Sequence, residues 1–278
     1  MRQGRVFTHP GKGNPDIVEP AGPTDPDVGV IGAWSPSGAY LGCVVNFACH
    51  GTVLGGPCAS ADWIYYLDRT IRGVMGGQGV TVFLNGACGD VTQVQNQSLR
   101  ASEFGERWAE LVGTRVGAEA VKVLATAVRA PWTEAAVAAR RKIIKIPRRR
   151  PERQRLRASL AEVRLGLHDP KRRATAAWIF AKEYVLADYL ARTQPAMPVE
   201  VQAIQIGPVV LVANPAELFC HLGLQIKAAS KFPCTFIVEL ANGSAGYVPG
   251  RDAFRPDGGG YETVLTSYST LAAEAGEK

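Results

Sequence analysis

The sequence lacks several features that would assign the chain to a class at once. No stretch approaches the roughly 18 consecutive apolar residues that a membrane-spanning helix needs, and the first ten residues contain no apolar segment of a signal peptide. The six cysteines show neither CxxC pairs nor zinc-ribbon spacing, which argues against a disulfide scaffold, although one or two bridges stay open. A content of 46% hydrophobic and 20% charged residues excludes disordered and fibrous classes. We therefore expect a globular chain with a large apolar core.

Excess positive charge is also missing from most of the chain. The net charge is +6, but ten Lys and Arg residues lie between Arg140 and Arg157 with a single acid, Glu152, so the remainder is net acidic. Because the chain outside residues 140–157 is not basic, we expect no specific nucleic-acid partner. Residues 140–157 are either a solvated face or a surface that attracts an anionic membrane. Weak, nonspecific nucleic-acid binding is a further alternative, although no aromatic residue interleaves the basic ones there.

Glycine and proline are abundant instead, at 30 and 18 residues, which is typical of a loop-rich protein. Residues 1–30 are expected to be irregular. Hydrophobic spacing predicts strands at residues 40–49, 80–84, 199–206, 209–212 and 234–240, an extended segment at 133–146, and helices at 62–73, 101–128, 152–166, 171–192 and 215–229. Because strands and helices mix without regular βαβ alternation, the predicted fold class is α/β, with a mixed sheet layered with helices. We expect a single domain over residues 1–278, with a basic helical insertion at residues 140–192.

Three predicted strands end in polar, glycine-bearing loops, at residues 49–52, 85–92 and 240–243. The ends of apolar strands are where open α/β sheets bind ligands. His50 lies in the first of these loops, and Glu217 lies in the predicted first turn of the helix that follows residues 209–212. Zinc accepts an imidazole and a carboxylate as ligands, and zinc with an open coordination position activates water. The spacing alone leaves a second interpretation open, in which His50 is a hydrogen-bonded structural residue.

Five sequence blocks that include these loops occur in a fixed order. They are Asn46-Phe47-Ala48-Cys49-His50-Gly51-Thr52, Ser60-Ala61-Asp62-Trp63, Phe83-Leu84-Asn85-Gly86-Ala87-Cys88-Gly89-Asp90, Asn214-Pro215-Ala216-Glu217-Leu218-Phe219, and Leu240-Ala241-Asn242-Gly243-Ser244-Ala245-Gly246-Tyr247-Val248 with Gly260-Tyr261-Glu262. Together, over residues 46–262, they resemble the catalytic domain of the neutral/alkaline (non-lysosomal) ceramidase family. The opening at residues 8–15, Thr-His-Pro-Gly-Lys-Gly-Asn-Pro, resembles the bacterial members of that family.

The resemblance implies a zinc enzyme. The family binds one catalytic Zn2+ through two histidines, a glutamate and a tyrosine, and it hydrolyses N-acylsphingosine to sphingosine and a fatty acid. By this match, His50, Glu217 and Tyr261 are metal ligands. The family's first histidine belongs to a Thr-His-x-His-Ser-Gly-like segment that would lie upstream of Met1, so we expect the domain to be N-terminally incomplete. An export signal would lie there as well; the protein is then expected to be secreted or periplasmic, and otherwise cytoplasmic.

Three further residues are candidates for catalysis. Thr92 occupies the position of the family's serine, but its extra methyl group restricts rotation. We therefore expect Thr92 to position a zinc-activated water or the substrate rather than to attack the carbonyl itself. Tyr268 could donate a hydrogen bond to the developing oxyanion. Asp62 could orient His50 or carry a proton, and its place before a predicted helix equally suits an N-cap.

The remaining histidines have simpler interpretations. His9 lies in a Pro/Gly-rich segment and is expected to be a surface residue, with replacement of the upstream ligand as the alternative. His221 follows Glu217 by four residues, so the two share one face of the predicted helix. We expect His221 to support the site rather than to bind the metal.

The sequence-level hypothesis is therefore a zinc-dependent amidohydrolase that cleaves an N-acyl amide bond in a ceramide-like lipid. Two alternatives stay open. One is a zinc hydrolase of a non-lipid ester or amide, which would act on short, water-soluble acyl substrates. The other is a degenerate, metal-free binding protein, which Thr92 and the position of the family's first histidine both favour.

Overall fold

Strands and helices alternate irregularly along the chain, as the sequence predicted. The computed structural model describes residues 4–99, 102–127 and 135–278. Its strands are β1 (Gly29–Trp34), β2 (Tyr40–Phe47), β3 (Val80–Asn85), β4 (Val137–Pro147), β5 (Ala196–Ile206), β6 (Val209–Ala213), β7 (Glu217–Leu218), β8 (Cys234–Val238) and β9 (Tyr247–Val248). Its helices are α1 (Trp63–Met75), α2 (Glu106–Thr126), α3 (Arg153–Leu167), α4 (Pro170–Arg173), α5 (Ala176–Thr193) and α6 (Cys220–Ala229). The described residues form three sheets, six α-helices and long loops, so the predicted mixed α/β class is confirmed.

The first sheet has the strand order β1-β2-β3 and packs against two helices. β2 pairs antiparallel with β1 and parallel with β3, and α1 forms the crossover between the two parallel strands. Trp63, Leu67 and Ile71 recur at helical spacing on α1 and are fully buried against α2 and β2. The sequence analysis missed β1, because this edge strand contains two glycines, which weaken a strand pattern.

The second sheet has the strand order β4-β5-β6-β8. The predicted hairpin is confirmed, since β5 and β6 pair antiparallel around residues 207–208. β6 and β8 run parallel, with α6 between them in the chain. The buried Asn46 amide joins the two sheets by donating to the carbonyl oxygens of Leu84 and Ile237, at 2.9 and 2.8 Å. The carboxyl ends of β2, β3 and β8 therefore meet at one edge of the molecule.

The basic segment at residues 140–192 is helical only from Arg153 onward. Its first part belongs to β4, an edge strand that is exposed along most of its length. Lys and Arg side chains on such an edge hinder pairing with a second chain. The predicted helical pair is present as α3 and α5, with the predicted break at residues 168–170. None of the helices in the described ranges has both the length and the apolar character that crossing a bilayer requires.

Two predicted helices begin later than expected. The helix predicted at residues 101–128 begins at Glu106; its predicted end residues lie outside the described residues, as do residues 133–134 of the predicted extended segment. The helix predicted from Pro215 begins at Cys220, so the helical assignment of Glu217 was wrong. Tertiary pairing overrides the local pattern there, because Glu217–Leu218 pairs with Tyr247–Val248 as β7 and β9.

Candidate metal centre

Side chains from three strand ends and the short strand β7 converge on one cluster. His50 follows β2, the loop at residues 86–92 follows β3, Glu217 lies in β7, and Glu239 follows β8. The sequence analysis expected His50 and Glu217 to converge, and the structure places their side chains in contact.

Both ring nitrogens of His50 have partners. Nδ1 lies 3.1 Å from the carbonyl oxygen of Val91, and Nε2 lies 3.1 Å from Oε2 of Glu217. Because a carbonyl oxygen only accepts, Nδ1 must carry a proton and donate it. A neutral ring would then turn the lone pair of Nε2 toward the Glu217 oxygen. The 3.1 Å contact therefore needs a proton on one of the two side chains or a metal ion bound by both.

The electrostatics of the cluster favour a cation at this position. Burial by itself would lower the pKa of His50. The hydrogen bond to Glu217, the charge of Glu239 and the Val91 carbonyl outweigh burial, so the pKa of His50 lies above its ordinary value. The His50 and Glu217 side chains are 17% and 20% exposed, so an ion from solvent can reach them.

Two tyrosines extend the cluster beyond Glu217. The hydroxyl of Tyr261, the predicted ligand, lies 2.9 Å from the hydroxyl of Tyr247, and Tyr247 is hydrogen-bonded to Glu217. Burial raises the pKa of both phenols, so both keep their protons at neutral pH, and metal binding through Tyr261 would release one. The sequence analysis assigned Tyr247 no role. Its position just after the strand-end loop at residues 240–243 is the signal that could have identified it.

Cys88 and Glu239 form a buried pair beside His50. The thiol of Cys88 donates to Oε1 of Glu239 at 2.9 Å, and the two residues are 0% and 4% exposed. Burial raises the pKa of Glu239 to about 7 and that of Cys88 well above its usual range. A ring nitrogen of His50, Sγ of Cys88 and a carboxylate oxygen of Glu239 lie within 4.8 Å of one another, so this group could also hold a metal ion. The sequence analysis missed Glu239, although it ends an apolar strand, where ligand-binding residues are common.

Thr92 and Tyr268 lie at the margins of the cluster. Thr92 follows Val91, whose carbonyl contacts His50, and its hydroxyl accepts from the backbone N–H of Val94 at 3.3 Å. Tyr268 is 56% exposed and lies near enough to Tyr261 to influence the pKa of that phenol. The catalytic roles of both residues stay predictions.

Asp62 is a buried N-cap of α1, which is one of its two predicted roles. Its carboxylate accepts from the backbone N–H groups of Trp63 and Leu54, both at 2.7 Å, and of Val53 at 3.3 Å. The indole of Trp63 donates to the carbonyl oxygen of His50 at 3.0 Å, so the start of α1 supports the His50 backbone. A cavity of about 340 Å3 opens beside this cap. It is lined by Leu54, Ser60, Ala61, Asp62, Tyr65, Tyr66 and Glu106, and thus by none of the predicted metal ligands. The proposed proton transfer by Asp62 stays a prediction.

The other two histidines near the cluster differ in their surroundings. The ring of His9 faces that of Tyr261, with ring centroids 6.1 Å apart and planes inclined by 15°. The prediction that His221 shares a helix face with Glu217 was wrong, because Glu217 lies in β7. His221 packs closely against Gly250, where an added Cβ would lie 2.6 Å from the imidazole.

Comparisons with solved structures connect this fold to ceramidases. The crystal structure of neutral ceramidase from Pseudomonas aeruginosa has a TM-score of 0.60 and 16% sequence identity over 91% of this chain and 44% of its own. A ceramidase complexed with C2 has a TM-score of 0.62 and 14% identity over 91% of this chain and 46% of its own. No protein-family profile and no curated protein sequence matches the chain. The chain therefore has a ceramidase-like fold, and it spans less than half the length of the ceramidases that it resembles.

Proposed function

We propose that this chain carries the metal centre of a zinc-dependent hydrolase that cleaves the N-acyl amide bond of a ceramide-like lipid. The observation that carries the proposal is the 3.1 Å contact between His50 Nε2 and Glu217 Oε2, with His50 Nδ1 held by the carbonyl of Val91, so that both side chains can bind one cation. The ceramidase-like fold supports the choice of substrate class.

The side chains present at the cluster fit zinc. An imidazole nitrogen and a carboxylate oxygen are common zinc ligands, and a phenol oxygen supplies a third donor. The carbonyl of Val91 fixes the His50 tautomer, as a hydrogen-bonded partner does for most metal-ligating histidines. His50, Glu217 and Tyr261 would hold the ion. The ion would polarise the acyl carbonyl and lower the pKa of a bound water to about 7.

Other residues of the chain are placed to hold a ligand or to orient the substrate. Tyr247 keeps its proton at neutral pH and donates it to the Glu217 carboxylate, so it would hold that ligand in place while other groups contact the substrate. Tyr268 is exposed and close enough to influence Tyr261, so its hydroxyl could donate to the substrate. The hydroxyl of Thr92 accepts from Val94, which leaves its own proton free for the substrate.

The test is fatty-acid release from a short-chain ceramide by the zinc-loaded chain. We expect His50→Ala and Glu217→Gln to lower the rate by about a thousandfold or more, because each removes a group at the reacting centre. Glu162→Gln, on α3 and away from the cluster, is the matched control and should retain the wild-type rate. Equal rates in the wild type and the His50→Ala variant would contradict the proposal. If the chain cleaves short water-soluble amides but not ceramide, its substrate is a polar amide rather than a lipid.

We also propose that the exposed part of β4 faces an anionic lipid surface. Arg149 is not available for this contact, because its guanidinium donates to the carbonyl oxygens of Thr263 and Ser269 at 2.6 and 2.8 Å. Arg148 likewise donates to the carbonyl of Gln194. Lipid contact would therefore depend on the earlier, exposed residues of the strand, including Arg140 and Lys142.

A further inference from the structure

Glu239 uses both of its carboxylate oxygens inside the protein. Oε2 accepts from the backbone N–H of Cys88 at 3.0 Å and from that of Leu218 at 3.2 Å. Oε1 accepts from the thiol of Cys88 at 2.9 Å. One side chain at the end of β8 therefore holds two other segments of the cluster, the loop after β3 and the strand β7.

These two segments carry the groups that meet at the candidate metal centre. Leu218 directly follows Glu217, and Cys88 lies three residues before Val91, whose carbonyl fixes the His50 ring. The backbones of the two segments are also in direct contact. Gly89 donates to the carbonyl of Leu218 at 2.8 Å, and a Cβ on Gly89 would lie 2.4 Å from the carbonyl oxygen of Glu217.

The sheet that contains Glu217 is small, and the backbone N–H of Glu217 donates to the carbonyl oxygen of Gly246 at 3.0 Å. β7 is only two residues long, and its partner β9 has the same length. So short a ladder offers few hydrogen bonds to oppose the conformational entropy of the backbone. The bonds to Glu239 are buried, where a hydrogen bond is electrostatically stronger than in water.

We propose that Glu239 is a positioning residue whose carboxylate clamps the loop at residues 86–91 to β7 and so sets the spacing of His50 and Glu217. The same side chain belongs to a group that could hold a metal ion itself. Metal ligation by Glu239 would compete with a thiol and two backbone N–H donors, which already occupy three of the roughly four lone-pair sites of the carboxylate. The clamp keeps every one of these groups paired.

Two substitutions separate the acceptor role of Glu239 from its charge. Glu239→Gln keeps an oxygen in the place of Oε2, so both N–H bonds can form, and its amide N–H2 then faces the sulfur of Cys88. Glu239→Ala removes the acceptor. Glu239→Asp is one methylene shorter and serves as the milder variant if the alanine chain does not fold. Glu162→Ala, on α3, controls for the loss of a glutamate elsewhere.

The first measurement is amide hydrogen exchange at Cys88 and Leu218 in metal-free protein. We expect both amides to exchange at least about tenfold faster in Glu239→Ala, or in Glu239→Asp, and within about threefold of wild type in Glu239→Gln and Glu162→Ala. The second measurement is the zinc dissociation constant from competition with a chromophoric chelator. This constant should rise about tenfold or more in Glu239→Ala and stay within about threefold of wild type in Glu239→Gln and Glu162→Ala.

The positioning role of Glu239 rests on the proposed function only for the zinc measurement. The positioning role and the proposed function can therefore fail separately. Accelerated exchange at both amides in a chain that binds no zinc would uphold the clamp and overturn the zinc hydrolase. Unchanged exchange and unchanged zinc affinity in Glu239→Ala would overturn the clamp. So would equal losses in Glu239→Gln and Glu239→Ala, since charge rather than the acceptor would then matter. A thiolate-to-metal charge-transfer band in the cobalt-loaded chain, lost in Cys88→Ser, would overturn it by making the buried pair a ligand pair.

Discussion

At the residue scale, the cluster places two kinds of acid side by side. Glu217 is partly exposed and is paired with His50. Glu239 is 4% exposed, and burial outweighs its three hydrogen bonds, so its pKa rises from the usual 4.5 to about 7. Near pH 7, Glu239 is therefore protonated in roughly half of the molecules.

The raised pKa of Glu239 predicts a specific dependence of stability on pH. Between about pH 4.5 and 7 the folded state keeps a proton that the unfolded state has released, so the free energy of unfolding falls as the pH rises. Glu239→Gln removes this dependence while keeping an acceptor for the two backbone N–H groups of Cys88 and Leu218. We expect the metal-free variant to gain stability relative to wild type across this range, by on the order of 3 kcal/mol at pH 8. Urea unfolding at pH 4.5 and pH 8 measures it, and an equal difference at both pH values would contradict the assignment.

Gly89 is a second residue whose substitution has a defined consequence. A Cβ there would lie 2.4 Å from the carbonyl oxygen of Glu217, which only a backbone shift can relieve. We expect Gly89→Ala to destabilise the chain by roughly 1–3 kcal/mol, as overpacking in a tight site does. It should also weaken zinc binding, because Glu217 moves.

Gly73→Ala is the matched control for this substitution. Gly73 lies inside α1, and a Cβ there meets open space, so alanine should stabilise the helix by roughly 0.5–1 kcal/mol. Thermal unfolding and zinc titration of both variants make the comparison. A Gly89→Ala chain as stable and as tightly zinc-binding as wild type would show that the close contact is relaxed in solution.

Single residues were predictable where their chemistry and their position agreed. His50 and Glu217 each lie in a polar segment near an apolar strand, and the structure places them in contact. Tyr247 and Glu239 were missed because their roles arise from pairing. Tyr247 bridges Glu217 and Tyr261, and Glu239 reaches backbone groups that are distant in sequence.

At the element scale, the sequence pattern predicted elements whose apolar residues face one core. α1 and the hairpin of β5 and β6 are in this class, and both are present as expected. β1 and β7 are not, because each is defined by its partner strand rather than by its own residues. The helix after Pro215 begins at Cys220, where Asp90 from a distant loop accepts from the backbone N–H at 2.7 Å. A cap supplied across the fold leaves no local signal in the sequence.

The exposed face of β4 gives a prediction at the same scale. Arg140 and Lys142 are two residues apart on a strand, so their side chains lie on one face. If this face contacts anionic lipid, each residue contributes about 1 kcal/mol, so Arg140→Ala with Lys142→Ala should weaken binding to phosphatidylserine vesicles by roughly twentyfold or more at low salt.

Vesicle co-sedimentation at low and high salt tests this face of β4. Arg115→Ala with Lys122→Ala removes the same charge from α2 and is the matched control, which should bind like wild type. Equal weakening in the two double variants would show that net charge, and not the β4 face, attracts the lipid.

At the scale of the whole molecule, the described residues form a ceramidase-like α/β fold in which His50, after one strand, contacts Glu217 in another. The chain covers 44% and 46% of the two solved ceramidases, so the complete reaction is a proposal that extends beyond the fold. Periodicity and strand-end chemistry predicted the architecture, whereas the contacts within the cluster depend on distances that only the folded chain supplies.

The most direct test of the proposed zinc site is the zinc content per chain, measured by elemental analysis of the purified protein and of His50→Ala. We expect about one zinc per wild-type chain and near none in the variant, because Nε2 of His50, which faces Glu217, is a proposed ligand. A folded wild-type chain without zinc, or a His50→Ala chain that binds as much zinc as the wild type, would contradict it.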